Sequence, residues 1–172
     1  TGSNTSYPAV FTPDANSTTD GIITVPRFKF NDLTGNVNSV QAQALIEVDT
    51  TPLSVIIETN TQELTVGETA DITFTLSKIS TNFTVDDINV SGGSISNFGG
   101  QGTSYTANFT PLPNSTINGI ITVTPGTFTD TAGNQNIESP SLDMSVNTIV
   151  PDTTAPTVII TTNDNTLNIG ET

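Results

Sequence analysis

The stretch "ADITFTLS", Ala70–Ser77, puts Ile72, Phe74 and Leu76 on one side of an extended chain and Asp71, Thr73 and Thr75 on the other. A period of two marks a strand with one buried face and one wet face. The same rhythm spreads outward in both directions. "SYTANFT" (Ser104–Thr110) aligns Tyr105, Ala107 and Phe109, and "SLDMSVN" (Ser141–Asn147) aligns Leu142, Met144 and Val146. Leu53–Glu58, "INV" (Ile88–Val90), "SISNF" (Ser94–Phe98) and "GIITVTPGTFT" (Gly119–Thr129) complete a set of seven strands, with Pro125-Gly126 marking a bulge or an edge. Gly92-Gly93 and Gly99-Gly100 punctuate them. Seven short antiparallel strands in about a hundred residues is the count of an immunoglobulin-like sandwich. The pattern predicts a core of Val55, Ile57, Ile72, Phe74, Leu76, Ile88, Tyr105, Phe109, Val123, Phe128, Leu142, Met144 and Val146.

The chain also repeats itself. "FTPDANSTTDGIITV" (Phe11–Val25) returns as "FTPLPNSTINGIITV" (Phe109–Val123), 98 positions later. "DTTPLSVIIETNTQELTVGET" (Asp49–Thr69) returns as "DTTAPTVIITTNDNTLNIGET" (Asp152–Thr172), 103 positions later. The five-residue difference is expected in a linker, between Asn38 and Asp49 in one copy and Asn136 and Asp152 in the other. A unit of about a hundred residues is too long for a solenoid repeat and reads as tandem beads. The expected division is the last part of one unit at 1–48, a whole unit at 49–151, and the first part of the next at 152–172. The whole is expected to be all-β, tandem seven-stranded antiparallel immunoglobulin-like sandwiches, and a piece of a longer array. Residues 1–48 would supply three strands, leaving Tyr7, Phe11, Ile23 and Phe30 on or near a bare apolar face. More of the native chain, or another copy, is expected to cover it.

Composition narrows the function. Apolar residues are 33% of the chain, which suits strands that bury one face. Seventeen acidic residues face three basic ones, Arg27, Lys29 and Lys78, for a net charge of −14. That balance argues against nucleic acid and anionic membranes as partners, since both require basic patches. There is no cysteine to form a disulfide and no histidine for general-base or zinc chemistry. Asp86-Asp87 is the one adjacent carboxylate pair, and neighbours on a strand face opposite ways. No enzyme is expected. No apolar run approaches the length of a membrane span. If the protein is exported, its signal is expected outside these residues. Six Asn-x-Ser/Thr sequons, at Asn4, Asn16, Asn82, Asn89, Asn108 and Asn114, follow from a chain rich in Asn and Thr.

Three segments in order carry a family resemblance: "FTVDDINVSGGSISNFGGQGTSYTANFTP", "NSTINGIITVTPGTFTDTAGNQN" and "DTTAPTVII". Together they resemble the bacterial immunoglobulin-like repeats of large surface adhesins, of the repeats-in-toxin and biofilm types. The resemblance implies a bacterial, extracellular, cell-surface protein. Its repeats would act as extenders, with neighbouring repeats as partners and calcium stiffening the joints. One residue departs: the family often has glutamate where this chain has Lys78 after "TFTLS".

The carboxylates fit a joint of that kind. Asp49 precedes the first strand, Asp86 and Asp87 close the loop after the second, and Asp130 sits in "DTAGN" after the sixth. All four should meet at one pole. Asp20, with Asp14, lies in the loop of the preceding unit that faces this pole across Glu47–Asp49. Calcium takes six to eight oxygens, so Asp49, Asp86, Asp87, Asp130, Asp20 and Glu47 are its candidate ligands. Turn chemistry competes with this reading, because Asp130 and Asn134 also suit a tight turn. Glu68 and Glu171 are expected to be solvated turn residues at the other pole. A Lys–Asn or Lys–Asp isopeptide crosslink is not expected, because Lys29 aligns with Thr127 and Lys78 has no second copy. The leading reading is a spacer. The rivals are a glycan- or protein-binding module, and a subunit of a surface filament or S-layer made of further copies. The loops "DANSTTD" and "LPNSTIN" carry no aromatic residue, which favours the spacer.

Overall fold

The alternation of Ala70–Ser77 extends to Ser80 as the central strand of the computed structural model, which describes residues 6–162, 166 and 168–170. The strands are β1 Gly21–Val25, β2 Ala42–Ile46, β3 Val55–Thr59, β4 Glu63–Thr65, β5 Ala70–Ser80, β6 Ile88–Ser91, β7 Gly93–Pro111, β8 Gly119–Val123 and β9 Leu142–Asn147. A single 3-10 turn, Val85–Asp87, precedes β6. From β3 onward the strands form two sheets, ordered β3-β5-β7 and β4-β9-β8-β6. Their inward residues make one core.

Ala70, Ile72, Phe74 and Leu76 of β5 are buried, as are Tyr105, Ala107 and Phe109 of β7, held opposite by the register Phe74↔Tyr105 and Ala70↔Phe109. On the other sheet Ile121, Val123, Leu142, Met144 and Val146 face them. An aromatic cluster closes the pole nearest Lys78. The Phe83 ring lies 4.7 Å from that of Phe128 and 5.0 Å from that of Tyr105, with Phe74 and Phe98 alongside. Each such ring removed from water is worth about 1.5–3 kcal/mol. Phe109 is packed between two glycines: a Cβ on Gly119 would stand 2.5 Å from its Cζ, and one on Gly93 would collide with the same ring.

Eleven of the thirteen expected core residues are buried, and Ile57 and Ile88 are half-buried against the cluster. The strand list changes in three places. Glu63–Thr65 forms β4, which pairs in parallel with β9 and buries Leu64; three residues are too few to show alternation. Ser94–Phe98 and Ser104–Thr110 belong to one extended stretch that doubles back at Gly100 and Gly102, both at positive φ, so that the Asn97 amide donates to Asn108 Oδ1 at 3.0 Å. β8 ends at Val123 instead of running to Thr129, because Pro125-Gly126 turns the chain, with Gly126 at φ 75 and its amide bonded to Asn136 O.

Residues 21–46 form a separate two-stranded sheet, β1 with β2. Its pairing Gly21↔Ile46 repeats Gly119↔Met144 of β8 and β9. Tyr7, Ile23 and Phe30 are exposed, the bare apolar face expected for this segment. Val158, Ile159 and Ile160, which match Val55–Ile57 in the repeat, are exposed and in no strand. Glu171 lies outside the described residues.

Candidate functional site

Between the two-stranded sheet and the sandwich the chain passes through Val48, Asp49, Thr50 and Thr51. In an extended chain, neighbours point opposite ways. Thr50 turns back: its Oγ1 donates to Asp14 O at 2.7 Å and accepts the Ser17 amide at 2.9 Å, while its own amide donates to Ser17 O. The Val48 amide likewise donates to Asp20 Oδ1 at 3.1 Å. Asp49 turns forward. Its Oδ1 accepts Thr51 Oγ1 at 2.7 Å, and its two carboxylate oxygens take Lys78 Nζ at 2.6 and 2.8 Å.

Lys78 continues the inward phase of β5 after Ile72, Phe74 and Leu76, in the stretch where the ladder to β7 shifts register between Thr75 and Ser80. Its ammonium also donates to Thr51 O at 2.5 Å and to Asp130 Oδ2 at 3.0 Å. Asp130 is held by its own turn. Its Oδ1 accepts the amides of Ala132 and Asn134, both at 2.9 Å, and Gly133 takes φ 90 to close the loop. The Asn134 side-chain amide bridges Asp130 Oδ2 at 2.9 Å and Asp49 O at 3.1 Å. Ser80, Asp130 and the Asp49 strap are thereby tied together, with Asp130 almost fully buried.

The ionisation follows from these contacts. Burial opposes a charge on Asp130, yet hydrogen bonds from Asn134 and Lys78 outweigh it and hold the carboxyl down to about 2. The Lys78 hydrogen bond, then that of Thr51, lowers Asp49. Burial disfavours the Lys78 ammonium, but the two carboxylates more than compensate and raise it. All three groups are charged, so this is an ion pair, and the neutral amine that amide formation needs is suppressed.

Of the six expected ligands, Asp49 and Asp130 therefore meet, around an ammonium. Asp87 caps the 3-10 turn, its Oδ2 accepting the Thr84 amide at 2.7 Å, and Asp86 beside it is exposed. Asp20 is spent on Val48, and Glu47 is exposed. No group of three acidic side chains able to hold a metal forms among the described residues. Calcium wants six to eight lone-pair oxygens. Here the facing oxygens already receive Lys78, and Asn134 presents its donor end. The residues present do not fit a calcium ion. Sharing a pole does not gather the six carboxylates: Asp49, Asp87 and Asp130 each take an amide donor in their own loop, Asp20 takes the distant Val48 amide, and Asp86 and Glu47 are exposed.

Two residues that matter were not among the candidates. Lys78 stood out in the sequence as the sole basic residue between 49 and 151, which is the signal that it has a charged partner. Thr50 was hidden by dividing the chain at 48/49. Its bonds recur 98 residues on, where Thr148 Oγ1 accepts the Ser115 amide at 2.9 Å and donates to Leu112 O at 2.6 Å. Asp49 in turn has its counterpart at Asp152, whose Oδ1 accepts the Thr154 amide at 2.8 Å as Asp49 Oδ1 accepts that of Thr51 at 3.1 Å. The five extra residues thus fall after Thr148. At the first joint the end of one repeat and the start of the next share Asp49-Thr50; after Thr148, Ile149–Pro151 intervene before Asp152.

The opposite pole holds an open hollow of about 380 Å³ lined by residues that include Val66, Glu68, Pro111, Pro113, Thr148 and Val150. Glu68 caps its own turn, its Oε2 accepting the Thr65 amide at 2.8 Å, as expected of a turn residue. No helix among the described residues is long and apolar enough to cross a membrane.

Residues 49–146 match the family model described as bacterial Ig-like domain. No curated protein matches. The chain belongs to the bacterial Ig-like domain family, whose domains are generally non-enzymatic structural modules and typically occur in extracellular or surface proteins.

Proposed function

We propose that this member of the bacterial Ig-like family is a spacer segment of a cell-surface adhesin or fibre, in which successive units are held in fixed relation. The units are the end of one at 1–48, a complete one at 49–151 and the start of another at 152–172, with Asp49-Thr50 common to the first two. The observation that carries the reading is the opposed bonding of adjacent residues. Thr50 is bonded to Asp14 and Ser17 on one side of the joint, and Asp49 to Lys78 on the other. A linker with no slack between two anchored residues transmits direction, and an extender needs that. The polar loops at Asp14–Asp20 and Leu112–Asn118, without an aromatic platform, suit spacing better than glycan capture.

The test is nuclear relaxation on the whole chain. Amides of β1 and β2 should tumble with those of β5 and β7 as one body. A Thr50→Gly chain should let β1 and β2 move independently while β5 and β7 keep their dispersion. Independent tumbling of β1 and β2 in the unaltered protein would refute the stiff joint. A glycan library that binds the unaltered chain at the hollow beside Pro113 would favour the binding-module reading instead.

A further inference from the structure

We propose that the ammonium of Lys78 is the resident cation of the joint, standing where a divalent ion would otherwise be needed, so that the joint holds without calcium. The inference goes beyond the spacer reading, since it concerns what neutralises Asp49 and Asp130 whatever the chain is used for.

Four oxygens from three residues in two separate parts of the chain converge on one nitrogen: Asp49 Oδ1 and Oδ2 and Thr51 O from the strap, and Asp130 Oδ2 from its turn, at 2.5–3.0 Å. Convergence of carboxylates and a carbonyl on a single positive centre is the pattern of a cation site. Here the centre is covalently part of β5, so its occupancy does not depend on concentration. The surroundings are adapted to it. Asp130 Oδ1 is filled by two backbone amides, and Asn134 aims its side-chain NH2 at Asp130 Oδ2, beside the ammonium, and at Asp49 O. Those are donors, and a metal ion cannot use them. Without the ammonium, two carboxylates would face each other across the joint, one of them with a side chain only 2% exposed, and would repel. One lysine removes that repulsion and crosslinks the strap before β3 to β5 and to the Asp130 turn. The chain has three basic residues in 172, and the sole one in the sandwich is spent here.

The test uses the whole chain, calcium chloride at about 1 mM against a chelator, and two readouts: the melting temperature, and the backbone amide signals of Ala132 and Asn134, which report directly on Asp130. In the unaltered protein calcium should move neither the amide signals nor the sandwich melting temperature. Lys78→Met should melt about 5–15 °C lower in both conditions, a loss scaled from charged hydrogen bonds in a domain of this size. Lys78→Glu should be worse than Lys78→Met in chelator and should recover in calcium, because three carboxylates and the Thr51 carbonyl then form a site a divalent ion fits. Movement of the Ala132 and Asn134 signals with calcium in the unaltered chain overturns the proposal, and that arm needs no variant to fold. So does a Lys78→Glu chain that folds but gains nothing from calcium. A melting shift that leaves those two signals in place assigns calcium to another part of the molecule and leaves Lys78 as the joint's cation.

Discussion

Gly21–Val25 and Gly119–Val123 are the same five residues, GIITV, and each pairs antiparallel in the same register with the strand that follows the same turn. Their fates differ. Ile121 and Val123 are 0% and 2% exposed, whereas Ile23 and Val25 are 40% and 42% exposed. The backbone of the pentapeptide is therefore a local matter, decided by its own alternation and its hairpin partner. Its burial is decided by β3, β5 and β7, which cover β8 and have no counterpart over β1 among the described residues. Hydrogen bonding and packing are normally observed together, and here one sequence separates them.

The largest effect should come from truncating the two isoleucines. Ile121→Ala removes a fully buried side chain and leaves a cavity between the sheets, at a cost of about 2–5 kcal/mol. Ile23→Ala should lie within about 0.5 kcal/mol of the unaltered chain, as exposed substitutions do. Urea denaturation of both variants checks this. A costly Ile23→Ala would show that the open face of β1 is covered in solution, and dependence of that cost on protein concentration would identify the cover as a second copy.

A second contrast lies in the twin turns. Asp32 and Asp130 bind their loops alike: each accepts two backbone amides on one oxygen and an Asn side chain on the other, Asn36 or Asn134. Both carboxyls are held to about 2, Asp32 chiefly by the Asn36 side chain and Thr34, Asp130 by Asn134 and Lys78 against burial. Only Asp130 adds an ammonium. Asp130→Asn should cost about 1.5–3 kcal/mol, the range for hydrogen bonds to charged groups, and Asp32→Asn distinctly less, by thermal melting. Equal costs would mean that the turn alone matters and Lys78 contributes nothing through Asp130.

The same groups set the pH response. Asp130 and Asp49 ionise more readily folded than unfolded, so their contribution is complete above the unfolded carboxylate value near 4 and is lost as pH falls through their lowered folded values, which for Asp130 is about 2. Lys78 holds its proton more tightly when folded, so its contribution is complete below about 10.4 and is lost as pH rises through its raised value. Stability of the sandwich should be flat between, and Lys78→Met should blunt the alkaline fall. A chain whose stability keeps falling steeply across the neutral range would contradict this.

What the sequence made legible follows the same division between local and distant causes. Alternation in Ala70–Ser77 and Leu142–Asn147 marked strands and faces correctly, because a period of two is visible in seven or eight residues. β4 was not legible: Glu63–Thr65 is held by β9, about eighty residues away, in parallel. The turn bonds of Asp130 were foreseeable from "DTAGN", since donor and acceptor lie within five residues. The partnership of Lys78 with Asp49 and Asp130 spans 29 and 52 residues, and nothing in the spacing encodes it. Counting charges pointed to a cation at that pole; the side chains supply one themselves.

A small effect should be the most diagnostic. Thr50 and Thr148 make the same three bonds, to Ser17 and Asp14 in one case and to Ser115 and Leu112 in the other. Replacing either by valine keeps the shape and deletes one side-chain donor and one acceptor, a change of about 1 kcal/mol. The global cost should therefore be similar and small. The consequences should not be. Thr148 ties the end of β9 to a loop of its own sandwich, so Thr148→Val should raise amide exchange at Ser115 and leave β1 and β2 as they were. Thr50 is shared between the two repeats and has Asp49 anchored immediately before it, so Thr50→Val should raise exchange at Ser17 and throughout β1 and β2, the elements with least burial to hold them. Hydrogen exchange read residue by residue separates the two patterns. If both variants disturb only their own serine, the sheet of β1 and β2 is fixed to the sandwich by something other than the shared dipeptide, and the absence of slack at Asp49-Thr50 is not what holds the joint.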